Sequence, residues 1–209
     1  MPPALFDDVT LLITHYNRSG SVQRLLETLL AQQLRFAAIV VADDGSLPAH
    51  RQRLEHLAPV YGLQLVASAR NYGLGHNLNQ GQAHVQTALT LYVQEDFLPT
   101  PKFGPALQQA VALMRRDAQW DLVRFFANFR YPYTTPYQGE FAAITIPPFA
   151  LDYHKIYAYS DNPGPLCARQ HGRGAQHHAA RGLEAAAQPA AHAGQNALSP
   201  SQVQLRSAL

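Results

Sequence analysis

Apolar residues in the first 126 positions occur in two alternating patterns. Val22, Leu25, Leu26 and Leu29 recur at intervals of three and four, which predicts one face of an amphipathic helix. Short β-branched runs such as Ile39-Val40-Val41 are typical of buried strands instead. The predicted strands are residues 9–14, 38–42, 63–67, 89–93 and 122–126. The predicted helices are residues 19–33, one that begins at Pro48, residues 74–85 and residues 103–116.

This regular alternation of strand and helix indicates an α/β domain. Sequential strands linked by helices favour a mostly parallel sheet with right-handed crossovers and helices on its faces. From residue 128 to residue 159 the pattern changes to proline-rich aromatic segments, for which we expect short irregular or antiparallel pieces over the site, such as residues 141–146. The chain of 209 residues fits one domain with an appendage.

The composition changes abruptly near residue 160. Residues 160–209 contain no Phe, Tyr or Trp and are rich in Ala, Gln, His and Arg, so this segment has little large apolar surface to bury. We therefore predict a folded domain over residues 1–159 and a disordered or frameshifted tail over residues 160–209. The abruptness favours a frameshifted reading over a natural disordered tail.

Charge and special segments narrow the class of protein. The net charge is only +2, which neither implies nor excludes a phosphate-bearing partner. We expect no nucleic-acid partner. The chain has no apolar run of about 18 residues and no basic, apolar leader at its start, so neither a transmembrane helix nor a signal peptide is predicted. Its single cysteine, Cys167, excludes an intramolecular disulfide. We expect a cytoplasmic protein, with peripheral attachment to a membrane as the alternative.

Polar residues follow four of the predicted strands. Asp and Gly are ordinary turn formers, so one such strand end would be unremarkable. The carboxyl ends of parallel strands lie at one edge of a sheet, however, and ligands of open α/β sheets bind there. We therefore expect all four segments to form one site. The segments are Thr14-His15-Tyr16-Asn17-Arg18, Asp43-Asp44-Gly45-Ser46, Arg70-Asn71-Tyr72-Gly73 and Gln94-Glu95-Asp96.

Taken together, these segments resemble the family 2 glycosyltransferases, which have the GT-A fold. The resemblance covers roughly residues 8–130, and the Asp-Asp-Gly-Ser element after a strand is its most specific part. It implies transfer of a sugar from a nucleoside diphosphate donor, with a UDP-sugar as the leading candidate. The acceptor would be a saccharide or lipid-linked hydroxyl, and the anomeric configuration would invert.

The resemblance also implies a nucleotide pocket. Thr14, Tyr16 and Asn17 would line it, with the ring of Tyr16 stacked on the base. Asp43 would accept a hydrogen bond from the base, because an ionised carboxylate only accepts. Asp44 would help to hold the base or the ribose.

The resemblance assigns the phosphate and metal site to other residues. Arg70 would balance the charge of the diphosphate. Asp96 would bind a divalent cation, Mn²⁺ or Mg²⁺, directly, and Glu95 would bind the ribose or support the metal site. The family's metal motif usually begins with Asp, whereas this chain has Gln94 there, and a neutral amide is the weaker ligand.

An inverting transferase needs a carboxylate that takes the proton from the acceptor hydroxyl. The candidates are Asp161, which we favour, Glu140 and Asp152. Two alternatives stay open. One is a truncated, inactive nucleotide-binding module. The other is a nucleotidyltransferase, against which the missing Gly-rich phosphate loop after the first strand counts.

Overall fold

The structure of the protein is a computed structural model, and it describes residues 4–118, 120, 122–125, 134–137, 141–144, 166–169 and 202–204. The strands are β1 (Ala4–His15), β2 (Leu34–Asp43), β3 (Leu63–Ala67), β4 (Leu89–Gln94), β5 (Leu122–Arg124), β6 (Thr134–Pro136), β7 (Ala142–Ile144), β8 (Leu166–Arg169) and β9 (Gln202–Gln204). The helices are α1 (Ser19–Ala31), α2 (Pro48–Tyr61), α3 (Leu74–Gln82) and α4 (Phe103–Arg116).

Within the described residues, the strands form one sheet in the order β3-β2-β1-β4-β8-β5-β9-β7-β6. Strands β1 to β4 are parallel to one another, and β1 lies between β2 and β4. The register pairs His15 with Asp43, Thr14 with Gln94 and Asp43 with Ala67. The carboxyl ends of all four parallel strands therefore lie side by side, as the strand pattern predicts.

The sheet is covered on both faces. One core cluster unites Leu11 and Ile13 of β1 with apolar residues of α1, α2 and α4. A smaller cluster on the opposite face joins Leu12 to residues of β2, β4 and α3, including Leu78. Because the second half of β1 is buried on both sides, its residues 11–13 form a continuous apolar run rather than an alternating pattern.

The predicted strands and helices of the first 124 residues are confirmed, with differences in their ends. Strand β2 begins at Leu34 rather than at residue 38, because residues 34–36 also pair with residues 4–6 of β1, beyond an irregularity in the register between Phe6 and Thr10. Helix α3 ends at Gln82, three residues before the predicted end. Strand β5 is described as far as Arg124, and β7 lies within the predicted piece 141–146.

Two short strands fall within the segment for which the composition predicts a tail. Strand β8 pairs antiparallel with β4 and β5, and β9 pairs with β5 and β7. The other residues of 160–209 lie outside the described part of the chain, so the boundary at residue 160 stays a prediction. None of the described helices is long and apolar enough to cross a membrane.

Candidate functional site

The ends of β1 and β2 are joined by a buried hydrogen-bond network. The Nδ1 atom of His15 lies 2.9 Å from Oδ1 of Asp43, and the Ser46 hydroxyl donates to the same carboxylate oxygen. The Ser46 backbone N–H donates to the other oxygen, Oδ2, at 3.3 Å. The His15 and Asp43 side chains are both fully buried. For Asp43 to accept the expected hydrogen bond from a base, this network would have to open.

The neighbours of His15 define its tautomer. Its Nε2 atom accepts the backbone N–H of Arg18 at 2.9 Å, so Nδ1 carries the proton and donates to Asp43. Burial raises the pKa of Asp43, but the hydrogen bonds from His15 and Ser46 outweigh it and hold that pKa below its usual value. Asp43 is therefore an ionised anchor for the two loops.

Asn17 adds a second connection between these loops. Its backbone N–H donates to the Ser46 hydroxyl at 2.8 Å, and its side-chain oxygen accepts the N–H of Leu47 at 2.8 Å. Asn17 has a φ of 54°, a left-handed conformation that Asn adopts more readily than most residues. The loop after β1 is therefore held against the loop after β2.

Asp44 connects the loop after β2 to the loop after β3. It is buried, and its two carboxylate oxygens accept the backbone N–H groups of Tyr72 and Gly73 at 2.9 and 2.8 Å. Gly45 beside it has a φ of 67°, and a Cβ there would lie 2.2 Å from the carbonyl carbon of Arg70. These two loops approach so closely that only glycine fits at position 45.

The loop after β3 presents a stacked, exposed group of side chains. The guanidinium carbon of Arg70 lies 4.9 Å from the ring centroid of Tyr72, and that ring lies 4.6 Å from the ring of His76. Tyr72 is 50% exposed, and Arg70 is also exposed. Arg70 is therefore on the solvent side of the site, where an anionic ligand can reach it.

The residues expected to line a nucleotide pocket divide by burial. Thr14 is buried and its hydroxyl lies 3.0 Å from that of Tyr92 in β4, so it ties β1 to β4. Tyr16 is 44% exposed and offers its ring to solvent. Among all the residues assigned to the site, Tyr16, Arg70 and Asp96 are accessible to solvent. Asp43 and Thr14 are buried and support the site from inside.

A second acidic pair follows β4. Glu95 is buried, and burial together with the neighbouring charge of Asp96 raises its pKa to about 7, although backbone hydrogen bonds and Arg18 oppose the rise. The Asp96 side chain is 39% exposed, and its Oδ2 accepts a hydrogen bond from Nη1 of Arg18 at 2.7 Å. Asp96 is the carboxylate of this pair that a ligand can approach.

Asp96 offers a divalent cation one accessible carboxylate. The part of the chain that the structure describes has no group of three or more His, Cys, Asp or Glu side chains that could hold a metal ion. Mg²⁺ and similar hard cations are often held by one or two carboxylates together with water and substrate phosphates. Asp96 suits a site of this kind, in which the phosphates of the nucleotide supply further ligands.

Two further residues of this edge have structural roles. His15 carries the network around Asp43. Asn77 of α3 is 2% exposed, and its side-chain amide donates to the carbonyls of Ala42 at 3.0 Å and of His15 at 3.4 Å. The sequence signal for this role of Asn77 is its place on the apolar face of α3, one position before Leu78. Asp161 and the other candidates for the base, Glu140 and Asp152, lie outside the described residues.

Comparisons with known proteins give one family and several related folds. The family model described as "Glycosyl transferase family 2" matches residues 10–175. A structure of the mannosyltransferase PcManGT from Pyrobaculum calidifontis in complex with GDP-Man and Mn²⁺ is 16% identical, with a TM-score of 0.50. It covers 80% of this chain and 47% of that chain. No curated protein sequence matches the chain.

TarS from S. aureus is a second structural relative. Its structure with residues 1–349 is 20% identical with a TM-score of 0.53, and covers 78% of this chain and 47% of that chain. The same protein in complex with UDP-GlcNAc gives 19% identity and a TM-score of 0.51, over 76% of this chain and 44% of that chain. These relatives confirm the predicted GT-A-like fold. The chain spans about half the length of the structures it matches.

Proposed function

The chain belongs to glycosyl transferase family 2, and from that premise we propose that it transfers a sugar from a nucleoside diphosphate to an acceptor hydroxyl with inversion. The observation that carries the proposal is the convergence of two acidic pairs, Asp43-Asp44 and Glu95-Asp96, at one edge of a parallel sheet. Ligands of open α/β sheets bind at that edge. The folded domain of the proposal is residues 1–159.

The nucleotide would bind through the accessible side chains and be positioned by the buried ones. The exposed ring of Tyr16 offers a face on which a base can stack. The exposed guanidinium of Arg70 suits the diphosphate, since charge-assisted hydrogen bonds to phosphate are strong. Asp43, Thr14 and Asn17 contribute from behind this surface, because their hydrogen bonds hold the loops that carry it.

The same loops give Asp44 its part in the proposal. Its carboxylate accepts the backbone N–H groups of Tyr72 and Gly73, and so fixes the segment that presents Arg70. We assign to Asp44 the support of the base or ribose through that segment.

A divalent cation, Mn²⁺ or Mg²⁺, would be held by Asp96 together with the phosphates of the donor. Bound there, it would neutralise charge on the departing nucleoside diphosphate. Glu95 is buried directly beside Asp96, and we assign it to the ribose or to support of the metal site. Gln94, which stands where the family's motif usually has Asp, is also buried.

The transfer itself makes one bond and breaks one. The acceptor oxygen attacks the anomeric carbon from the face opposite the donor phosphate, and the bond from that carbon to the phosphate oxygen breaks. The electron pair leaves with the nucleoside diphosphate. The acceptor proton passes to a carboxylate. We propose Asp161 for that role, with Glu140 and Asp152 as the other candidates.

The donor and acceptor are proposed only as classes. One structural relative is in complex with UDP-GlcNAc and another with GDP-Man and Mn²⁺, so the two leading nucleotides to test are UDP and GDP. We favour a UDP-sugar. A saccharide or lipid-linked hydroxyl would be the acceptor, and the expected location is the cytoplasm, with peripheral contact to a membrane as the alternative.

Calorimetric titration with UDP, GDP and dTDP, each with Mn²⁺ and with EDTA, tests the donor site. We expect one diphosphate to bind in a metal-dependent manner, and Asp96→Asn to remove the dependence on Mn²⁺. Asp8→Asn is a matched control, because Asp8 also forms an exposed ion pair, with Arg115, at the opposite end of β1. Binding of no diphosphate to the folded protein would contradict the proposal.

Transfer needs its own measurement. Incubation of the protein with the matching nucleotide sugar and candidate acceptors should release nucleoside diphosphate, and Asp161→Asn should abolish that release while leaving donor binding intact. A protein that binds the donor yet transfers nothing would be the nucleotide-binding module instead. An unchanged rate in Asp161→Asn would move the base to Glu140 or Asp152.

A further inference from the structure

Arg18 stands at a position of α1 where an arginine side chain is not favoured. It is the N-cap residue of α1, with φ −135° and ψ 42°, and among the described residues its side chain makes no capping hydrogen bond. N-cap positions favour Ser, Thr, Asp or Asn, whose side chains accept from the first turn. A cation there also faces the positive end of the helix dipole. Violations of local preference of this kind are expected at functional sites.

The backbone of Arg18 is held while its side chain extends into solvent. Its N–H donates to the buried Nε2 of His15, and its carbonyl accepts the N–H groups of Ser21 and Val22. The side chain is 57% exposed, and its ion pair with Asp96 joins the atoms Nη1 and Oδ2. The guanidinium can therefore leave Asp96 without any change in the loop that carries it.

Resting on the proposed function, we propose that Arg18 is an internal counter-ion of Asp96 that competes with the divalent cation and, once displaced, binds the diphosphate of the donor. The guanidinium of Arg18 and the divalent cation would both bind the same carboxylate oxygen of Asp96, so binding of one excludes the other. The proposal gives Arg18 two opposite effects. It weakens the binding of the metal alone, and it strengthens the binding of the nucleotide.

The electrostatics support such an exchange. Exposed ion pairs are weak, so a divalent cation can displace the arginine at low cost. Without a counter-ion, the Asp96 carboxylate would stand beside the buried carboxyl group of Glu95 with no positive charge next to it. The planar guanidinium matches phosphate geometry, and phosphates also bind well at helix N-termini such as that of α1.

Arg24 provides a matched control for charge. It lies in α1 one and a half turns further along, and both arginines line the same surface cavity of about 430 Å³. Its guanidinium donates to the Ser21 hydroxyl at 3.1 Å rather than to Asp96. Arg24→Gln removes the same charge from the same surface and leaves the Asp96 contact in place.

The first measurement is Mn²⁺ binding without nucleotide, followed by electron paramagnetic resonance. We expect Arg18→Gln to tighten Mn²⁺ binding by about threefold, because the competing ion pair of modest strength is lost. Arg24→Gln should change it by less than about 1.5-fold, since charges farther away are screened by salt. Arg18→Lys should keep the competition, and circular dichroism should show that every variant retains its helices.

The second measurement is calorimetric binding of UDP and of GDP at saturating Mn²⁺. Arg18→Gln should lower the affinity for whichever diphosphate binds by about tenfold, because one charge-assisted hydrogen bond is lost. Arg24→Gln should lower the same affinity by less than about twofold, because the charge of Arg24 is more distant and is screened by salt. The opposite signs of the two Arg18→Gln effects are the signature of the counter-ion, because a structural defect would weaken both.

The outcomes separate this inference from the function on which it rests. If the wild type binds a diphosphate and Asp96→Asn loses Mn²⁺ binding, but Arg18→Gln behaves like Arg24→Gln, the counter-ion role alone is wrong. Weaker Mn²⁺ binding by Arg18→Gln would also overturn it. If the folded wild type binds neither UDP nor GDP, the proposed function fails and the inference falls with it.

Discussion

Two pairs of adjacent acidic residues lie at the same edge of the sheet, and their surroundings are opposite. Asp43 and Asp44 are buried, and their oxygens accept hydrogen bonds from His15, Ser46 and two backbone N–H groups. Asp96 of the second pair is 39% exposed and bonds to an exposed arginine. The first pair holds the loops together, whereas Asp96 of the second pair is accessible to a ligand.

The electrostatics of the two pairs differ in the same way. Hydrogen bonds lower the pKa of Asp43 despite its burial, so its charge is well stabilised. Burial and a neighbouring carboxylate raise the pKa of Glu95 to about 7, so its charge is poorly stabilised. A site with an unstabilised carboxylate next to an accessible one gains from a bound cation, and a site with satisfied carboxylates does not.

The largest expected effect tests how tightly the first pair is enclosed. Gly45→Ala should lower the free energy of unfolding by about 4 kcal/mol, because it combines a left-handed φ with an overlap on the Arg70 backbone. Gly62 is the matched control: its φ is 64°, and among the described residues nothing lies within 4 Å of an added Cβ. Gly62→Ala should cost only about 1 kcal/mol. Urea unfolding measures both, and equal losses would show that the loops do not pack as closely as described.

The next effect concerns Asp43 itself. Asp43→Asn should cost about 3 kcal/mol, because a buried acceptor for His15 and Ser46 becomes in part a donor. The pKa of Asp43 is lowered in the folded state, so its contribution is present above the ordinary value of 3.8 and is lost as the pH falls through the lower, folded pKa. Urea unfolding of wild type and variant at pH 7 and at acid pH checks both statements. A loss below about 1 kcal/mol would mean that the hydrogen bonds of Asp43 contribute no more to stability than an exposed ion pair does.

The third effect has the opposite pH dependence. Glu95 has a raised pKa of about 7 against an ordinary 4.5, so the folded protein holds a proton that the unfolded chain releases, and stability falls as the pH rises between these values. Glu95→Gln should therefore be about 2 kcal/mol more stable than wild type at pH 8 and nearly equal to it at pH 5. Urea unfolding at both pH values in EDTA measures the difference. A constant difference would mean that Glu95 is ionised throughout.

The smallest effect on stability is expected at Asp96. Asp96→Asn should change the free energy of unfolding by less than about 1 kcal/mol, because its partner is an exposed arginine. Asp8→Asn, which breaks the exposed pair with Arg115, should behave alike. Thermal unfolding with Mn²⁺ and UDP should separate them, since Asp96→Asn alone should lose the ligand-dependent rise in melting temperature. A cost as large as that of Asp43→Asn would remove the distinction between the two pairs.

Much of the fold could be predicted from the chain, and less of the site. The apolar runs predict β1 to β4, because strands buried on both faces have few alternatives. The start of β2 was predicted less well, since residues 34–36 pair with β1 across an irregularity in the register that only the paired strands reveal. Within the site, Tyr16, Arg70 and Asp96 are where a ligand can reach them, but the burial of Asp43 and Thr14 depends on neighbours far away in sequence.

The sequence by itself determined the parallel sheet, the set of polar residues at its edge and the family to which the chain belongs, because hydrophobic periodicity and short motifs are local. Only the tertiary structure decided which carboxylate is an internal anchor and which is accessible. That decision depends on partners such as His15 for Asp43 and Arg18 for Asp96, which lie 28 and 78 residues away along the chain. Burial and hydrogen bonding are properties of the assembled neighbours, and identical side chains acquire opposite electrostatic roles from them.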